Sequence, residues 1–195
     1  MSTTLSIHPI SQLIRKRRTT YASNYISKEI PKELIEEIIT NALWAPTHKK
    51  TQPWRFIGLS GKHQEVFGQY MMEYYKERLS EEQYPPSRYQ STIEYPKNAT
   101  MIAIIFQRSQ RVEIAEWEEI AAISCAVQNM WLSCTALNIG CYWDTCDAAI
   151  EYGNALDLKE HERCLGIFYM GYIQEESQEK RKRSTLKRKL VWDIK

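Results

Sequence analysis

From Ala115 to Asn138 the sequence reads AEWEEIAAISCAVQNMWLSCTALN, which is apolar on nearly every side of a helix. A helix with almost no solvent face has to lie in the middle of a core. The rest of the 195-residue chain must therefore supply elements that pack around it. Two short continuous apolar runs, TMIAIIFQ (100–107) and CLGIFYMGYI (164–173), have the pattern of central strands. WRFIGLS (54–60) and the brief CYW (141–143) read as further extended segments.

The clearest amphipathic signal is ISKEIPKELIEEIITNALWAP (26–46). Leu34, Ile35, Ile38, Ile39, Ala42 and Leu43 share one face, with Glu36, Glu37 and Asn41 opposite. Pro31 suits the first helical position, and Pro46 ends the run. HPISQLIRKRR reads as a short first helix that runs into a basic cluster. Lys62–Leu79 reads as a helix with Val66, Phe67, Tyr70, Met71 and Tyr74 inward, and Ala148–Leu156 as another. The segment SEEQYPPSRYQSTIEYPKNA, with Pro85, Pro86 and Pro96, reads as an irregular connection, and Gly140 as the cap of the long helix. Helices that precede and alternate with strands predict an α+β fold: a central, mostly antiparallel sheet of four or five strands packed on long helices.

Composition excludes several classes. A formal net charge of +2 implies no nucleic-acid partner by itself, and no apolar run is long enough for a membrane span. The N-terminus lacks the apolar core of a signal peptide. Five cysteines, at 125, 134, 141, 146 and 164, contain no C-x-x-C pair, which argues for reduced thiols in a cytoplasmic protein and against a disulfide framework or a metal site. The chain has no P-loop, no G-x-G-x-x-G and no G-x-S-x-G elbow. No side-chain nucleophile has a recognisable setting, so no catalytic residue is assigned.

What remains suits a phosphate and a flat polar ring. In KRRTT, Arg17 and Arg18 stand beside the hydroxyls of Thr19 and Thr20, and guanidinium forks match phosphate oxygens. The proline-bracketed elbow APTHKKTQP (45–53) carries His48, Lys49, Lys50, Thr51 and Gln52, all hydrogen-bond donors. Trp44, Trp117 and Trp143 offer flat walls, whereas Trp54 reads as core. The arginines could equally complement a helix dipole.

KRRTT, ALWAPTHKKTQPWRF (42–56) and ISCAVQNMWLSCTALNIGCYWDT (123–145), taken together, resemble the nitroreductase family of flavin enzymes, and the elbow resembles its small, single-domain branch. The resemblance runs from about Leu13 to Trp192. It implies a three-layer α+β sandwich spanning 1–195 as one domain, with the tail 174–195 extending onto the partner of a homodimer. It also implies FMN at the interface, NADH or NADPH as electron donor, and a small electron-poor acceptor such as a nitroaromatic, quinone or enone. In the family, flavin N5 carries the chemistry. Matched by motif, Arg17, Arg18 and Thr19 meet the FMN phosphate, and Arg183 is a second phosphate anchor. Trp44, His48, Lys50 and Gln52 meet the flavin along the elbow, and Trp143, Asp144 and Thr145 line the ring from the other subunit.

Three positions depart from the family. Tyr21 and Ala22 stand where many relatives carry a basic residue, Lys50 where many carry Asn, and Asp144 where Arg or a neutral residue is common. Lys49 or Lys50 is expected to take over the balancing of charge on reduced flavin. The run KRKRSTLKRK (180–189) keeps a second reading open: a non-enzymatic basic module that binds an anionic partner through its tail.

Overall fold

The computed structural model describes residues 8–174 and 182–192. The signal-peptide reading of the first residues, Lys180 and Arg181 of the basic run, and the final Asp193–Lys195 lie outside the described residues.

Six α-helices and four strands are joined by short 3₁₀ turns among the described residues. α1 (Pro9–Lys16) and α2 (Lys32–Leu43) precede β1 (Trp54–Leu59) and α3 (Lys62–Arg78). α4 (Tyr89–Glu94) leads to β2 (Thr100–Gln107), and α5 (Glu116–Ala136) to β3 (Ile139–Asp144). α6 (Asp147–Glu151) is followed by β4 (Glu162–Tyr172). The strands form one antiparallel sheet in the order β1-β2-β4-β3. The sheet is therefore antiparallel throughout, with the continuous apolar strands β2 and β4 at its centre.

Each face of the sheet carries its own core. Ile38 and Ala42 of α2 and Ile123, Ala126, Val127 and Met130 of α5 pack on one face against Ile102, Ile104, Phe106 and Phe168. Phe67 and Met71 of α3 and Ala148 and Ala149 of α6 pack on the other against Met101, Ala103, Ile105 and Ile167. The result is the expected three-layer α+β sandwich; α5, expected in the middle of the core, lies instead in an outer layer and keeps Trp117, Ala121, Ser124, Cys125 and Gln128 exposed along one side.

Several local details differ from expectation. Pro31 is the cap residue of α2 rather than its first helical residue; its carbonyl accepts from Leu34 and Ile35 at 3.0 and 3.2 Å. Leu43, assigned to the inner face, is 50% exposed, and Val66 in α3 is 55% exposed. The proline-rich connection is folded, with α4 inside it and Pro96 buried. α5 ends earlier than Gly140: Asn138 adopts the left-handed conformation (φ 55°) that turns the chain into β3. Gly140 sits inside β3 instead, where an added Cβ would lie 2.7 Å from Ile173 and 3.1 Å from Thr20. Its value is close approach, since it lets the 17–26 segment lie against the sheet. Thr20 N donates to Cys141 O at 3.1 Å, Tyr25 Oη to Thr20 O at 2.8 Å and Ile26 N to Tyr172 O at 2.9 Å.

Candidate active site

The arginine pair sits where α1 ends, α5 ends and β3 begins. Arg18 behaves largely as a helix cap. Its Nη1 donates to the carbonyls of Arg15, Lys16 and Arg17 at 2.7, 2.9 and 3.0 Å. These are the orphan acceptors at the end of α1, so one part of this side chain serves the fold. Arg17 is different. Its guanidinium lies over the Trp131 ring, 4.7 Å from the centroid, and its Nη1 is buried without a hydrogen bond among the described residues. Burial lowers its pKa most, and the charges of Arg183 and Arg18 lower it further. Arg183 is thus near enough to act on Arg17, while its own Nη1 donates to the carbonyl of Lys182 at 3.3 Å. Three cations converge with no anion between them among the described residues. Thr19, partly buried, lies between them and the sheet edge.

Trp131 holds this corner together. Its Nε1 donates to Arg18 O at 2.9 Å, and its ring meets Phe168 edge-on at 5.9 Å. Phe168 is the cross-strand partner of Trp143. Residues alternate along β3, so Cys141 and Trp143 face the α5 layer, and Tyr142 faces the opposite core. The Trp143 Nε1 is also buried without a partner among the described residues. An unpaired buried donor costs about 1–3 kcal/mol, and with the Arg18 Nε, also buried without a partner among the described residues, Arg17 and Trp143 make three unmet donors.

Asp144 takes another role. Alternation turns it away from Trp143, and its Oδ1 accepts from Cys146 N at 3.1 Å, closing the turn into α6. Its influence falls on the tyrosines of the other layer: with burial it raises the pKa of Tyr142. Thr145, exposed, continues that turn. Gly166 makes the turn possible. It has φ 109°, and a Cβ there would lie 2.1 Å from Asp144 O.

The elbow is built from backbone geometry that ordinary residues avoid. Lys49, Lys50 and Gln52 have φ of 48°, 56° and 46°. Thr47 holds the turn: its Oγ1 accepts from Gln52 N at 3.0 Å and lies 3.0 Å from Thr51 Oγ1. His48 Nδ1 pairs with Glu118 in the first turn of α5, and the residue is exposed. The side chains of Lys50 and Gln52 are exposed. Trp44 is separate from these residues. It caps α2 and is 83% exposed, in a groove with Ile10, Leu13 and Leu132.

The structure thus brings Arg17, Arg18, Thr19, Arg183 and Trp143 to one corner and His48, Lys50 and Gln52 to another. His48 contacts α5 at residue 118 and Arg17 contacts it at residue 131. At 1.5 Å per residue these points lie about 20 Å apart along the helix. The motif reading missed two residues that organise the site. Trp131 was hidden in the apolar run of α5, where only its indole nitrogen signals a polar task. Glu119, fully buried in the same helix, is the partner of Arg108.

The nitroreductase family model matches residues 14–172. YfhC of Bacillus subtilis (strain 168), provisionally named an NAD(P)H nitroreductase, is 28% identical over 96% of this chain and 97% of its own length. Among solved structures, a nitroreductase-like family protein from Bacillus cereus superposes with a TM-score of 0.79, at 21% identity, over 98% of this chain and 99% of its own. A nitroreductase with bound FMN from Bacteroides fragilis NCTC 9343 gives a TM-score of 0.71 at 18% identity, covering 96% and 100%. Both have the three-layer architecture built here by α2 and α5, the sheet, and α3 and α6. With the motifs at 17–20, 45–54 and 140–145 set on that frame, and the family model spanning most of the length, the chain belongs to the nitroreductase family.

Proposed function

We propose that this chain is an FMN-dependent oxidoreductase that works as a homodimer, taking electrons from NAD(P)H and passing them to an electron-poor acceptor such as a nitroaromatic, quinone or enone. The observation that carries the proposal is the Arg17 guanidinium. It is stacked on Trp131, partly desolvated, flanked by Arg18 and Arg183, and has an unpaired Nη1. A phosphate supplies the charge and acceptor oxygens this corner lacks. The unpaired Trp143 Nε1 on the same side offers a donor and a flat wall for a ring system.

When bound, FMN would supply the redox chemistry, the passage of electrons from a nicotinamide donor to the acceptor. The protein's part is to bind, orient and exclude water. Arg17 and Arg183 hold the phosphate, and Arg18 keeps the end of α1 in place beneath them. His48, held through Nδ1 by Glu118, offers Nε2 as a polar contact for a ring edge. Gln52 and Lys50 extend that donor row on a backbone fixed by Thr47, which limits the reorganisation needed when charge develops on a bound ring.

The separation of about 20 Å along α5 between the two corners supports a site shared by two chains. One FMN takes its phosphate anchor from one chain and its elbow contacts from a second. Trp143 then belongs with the arginine corner of its own chain. The exposed Trp44, Leu186, Val191 and Trp192 supply apolar surface for such a pairing, with the C-terminal segment reaching across to the partner of a single-domain protomer.

The test is direct. Purified protein should be yellow or turn yellow with added FMN, and anaerobic stopped-flow mixing with NADPH or NADH should bleach the flavin band. Colourless protein that ignores FMN while binding oligonucleotide through its tail would sink the proposal.

A further inference from the structure

A cleft of about 470 Å³ opens between the elbow and the segment after β2, with Lys49, Lys50, Arg108, Ser109, Arg111 and His161 on its walls. Among the described residues, no carboxylate lines it. Arg108 is already neutralised: its Nη1 pairs with the fully buried Glu119, and its Nη2 donates to Ile114 O at 2.6 Å. Glu119 also accepts from Ser109 N at 3.1 Å, so this carboxylate fixes the loop and leaves the cleft's charge uncompensated. Ser109 Oγ in turn accepts from the Arg111 amide at 3.4 Å.

Lys50 and Arg111 have no ion-pair partner among the described residues. Among the described residues, Lys49 reaches only the carbonyl of Glu113, at 3.3 Å. Lys49 and Lys50 stand next to each other in a left-handed conformation that residues with side chains disfavour. Gathering like charges on such a turn raises the energy of the empty cleft, and an anion relieves it.

We propose that this cleft receives the phosphorylated ribose of the dinucleotide electron donor and selects NADPH over NADH. The inference rests on the flavoenzyme reading above. The space exceeds what a free phosphate fills and has room for a sugar. A phosphomonoester carries close to two negative charges near neutral pH, which suits the Lys49, Lys50 and Arg111 group better than an uncharged ribose hydroxyl does. Arg111 supplies the planar fork for bidentate contact. The elbow is the wall common to this cleft and the proposed flavin contacts, so a donor anchored here starts beside the ring.

The experiment uses FMN-loaded protein, titrated with 2′,5′-ADP, with steady-state KM measured for NADPH and NADH. Arg111→Ala should weaken 2′,5′-ADP binding and raise the KM for NADPH by about tenfold, the usual worth of one charge-assisted contact. FMN content and the KM for NADH should stay within about twofold. Arg111→Lys should recover part of the loss. The proposal is overturned if 2′,5′-ADP does not bind, if Arg111→Ala binds it as wild type does, or if Arg111→Ala sheds FMN. It is equally overturned if inorganic phosphate or a single-stranded oligonucleotide shows the same Arg111 dependence at equal affinity. FMN-replete protein that ignores 2′,5′-ADP sinks this inference alone, whereas failure to hold FMN sinks the flavoenzyme reading first.

Discussion

The Arg17 guanidinium lies 4.7 Å from the centre of the Trp131 ring, and its Nη1 has no hydrogen-bond partner among the described residues. The stacking orients a charge that the fold itself does not use. Arg17→Ala should therefore weaken FMN binding by about 10- to 100-fold, the scale of a lost charge-assisted pair. The melting temperature of the apo-protein should hold or rise, since a desolvated cation is removed. Arg17→Lys keeps charge but loses the fork and should recover only part of the affinity. Flavin fluorescence titration and a thermal melt read the two effects; equal affinity in Arg17→Ala would remove Arg17 from the site.

The separation of the two corners along α5 gives a complementation test. Chains carrying Arg17→Ala, and chains carrying both His48→Ala and Gln52→Ala, should each bind FMN poorly as homodimers. A mixed dimer of the two should regain one intact site, because the unaltered elbow of the first chain meets the unaltered arginine corner of the second. Co-expression with two affinity tags isolates that dimer. If it stays as weak as its parents, both corners act within one chain and the shared-site arrangement fails.

Gly166 permits the close pairing of β4 with the end of β3 at Asp144. Its φ of 109°, and the 2.1 Å that would separate an added Cβ from Asp144 O, leave no relaxed position for alanine. Gly166→Ala should cost about 3 kcal/mol or more in a urea melt and lower FMN affinity with it. A variant as stable as wild type would show that the turn at 144–145 shifts freely.

Glu162 ties three elements together at the elbow end of the sheet. Its carboxylate accepts from Arg55 at 2.8 and 2.6 Å, from Gln107 at 3.0 Å and from Lys159 N at 3.0 Å. Burial pushes its pKa up, but the hydrogen bonds from Arg55 and Lys159 and the nearby positive charges outweigh this and hold it below the usual 4.5. A carboxylate depressed in the folded state contributes stability that is fully present above its unfolded value and fades as pH falls through the folded one. Glu162→Gln should thus cost about 2 kcal/mol at pH 7 and flatten the loss of stability below pH ~4.5. An unchanged acid limb in denaturant melts at pH 3–5 would remove Glu162 as its source.

The main elements were legible in the residues because their hydrophobic periods are strong. α2 shows a clean helical face, β2 and β4 are unbroken apolar runs, and α5 has almost no polar side. The arginine cluster and the elbow stood out as polar groups with no evident structural task. Other features depend on contacts between distant segments. Nothing local marks Asn138, rather than Gly140, as the residue that turns left-handed after α5, or assigns Gly140 to close packing against Thr20. Pro85 and Pro86 suggested an irregular connection, yet both precede α4 and leave its amides free to bond. Val66 and Leu43 fit a helical face by count and are still exposed. Asp144 looked like a ligand by motif; strand alternation, visible only with the register, sends it to the other layer.

The spacing of residues 118 and 131 on one helix has a kinetic consequence. If neither half-site works alone, dilution below the pairing threshold switches the protein off without unfolding it. Specific activity should then fall with enzyme concentration, and rate should approach a second-power dependence on the amount of chain present. Because FMN would bridge the halves, added cofactor should shift that threshold downward.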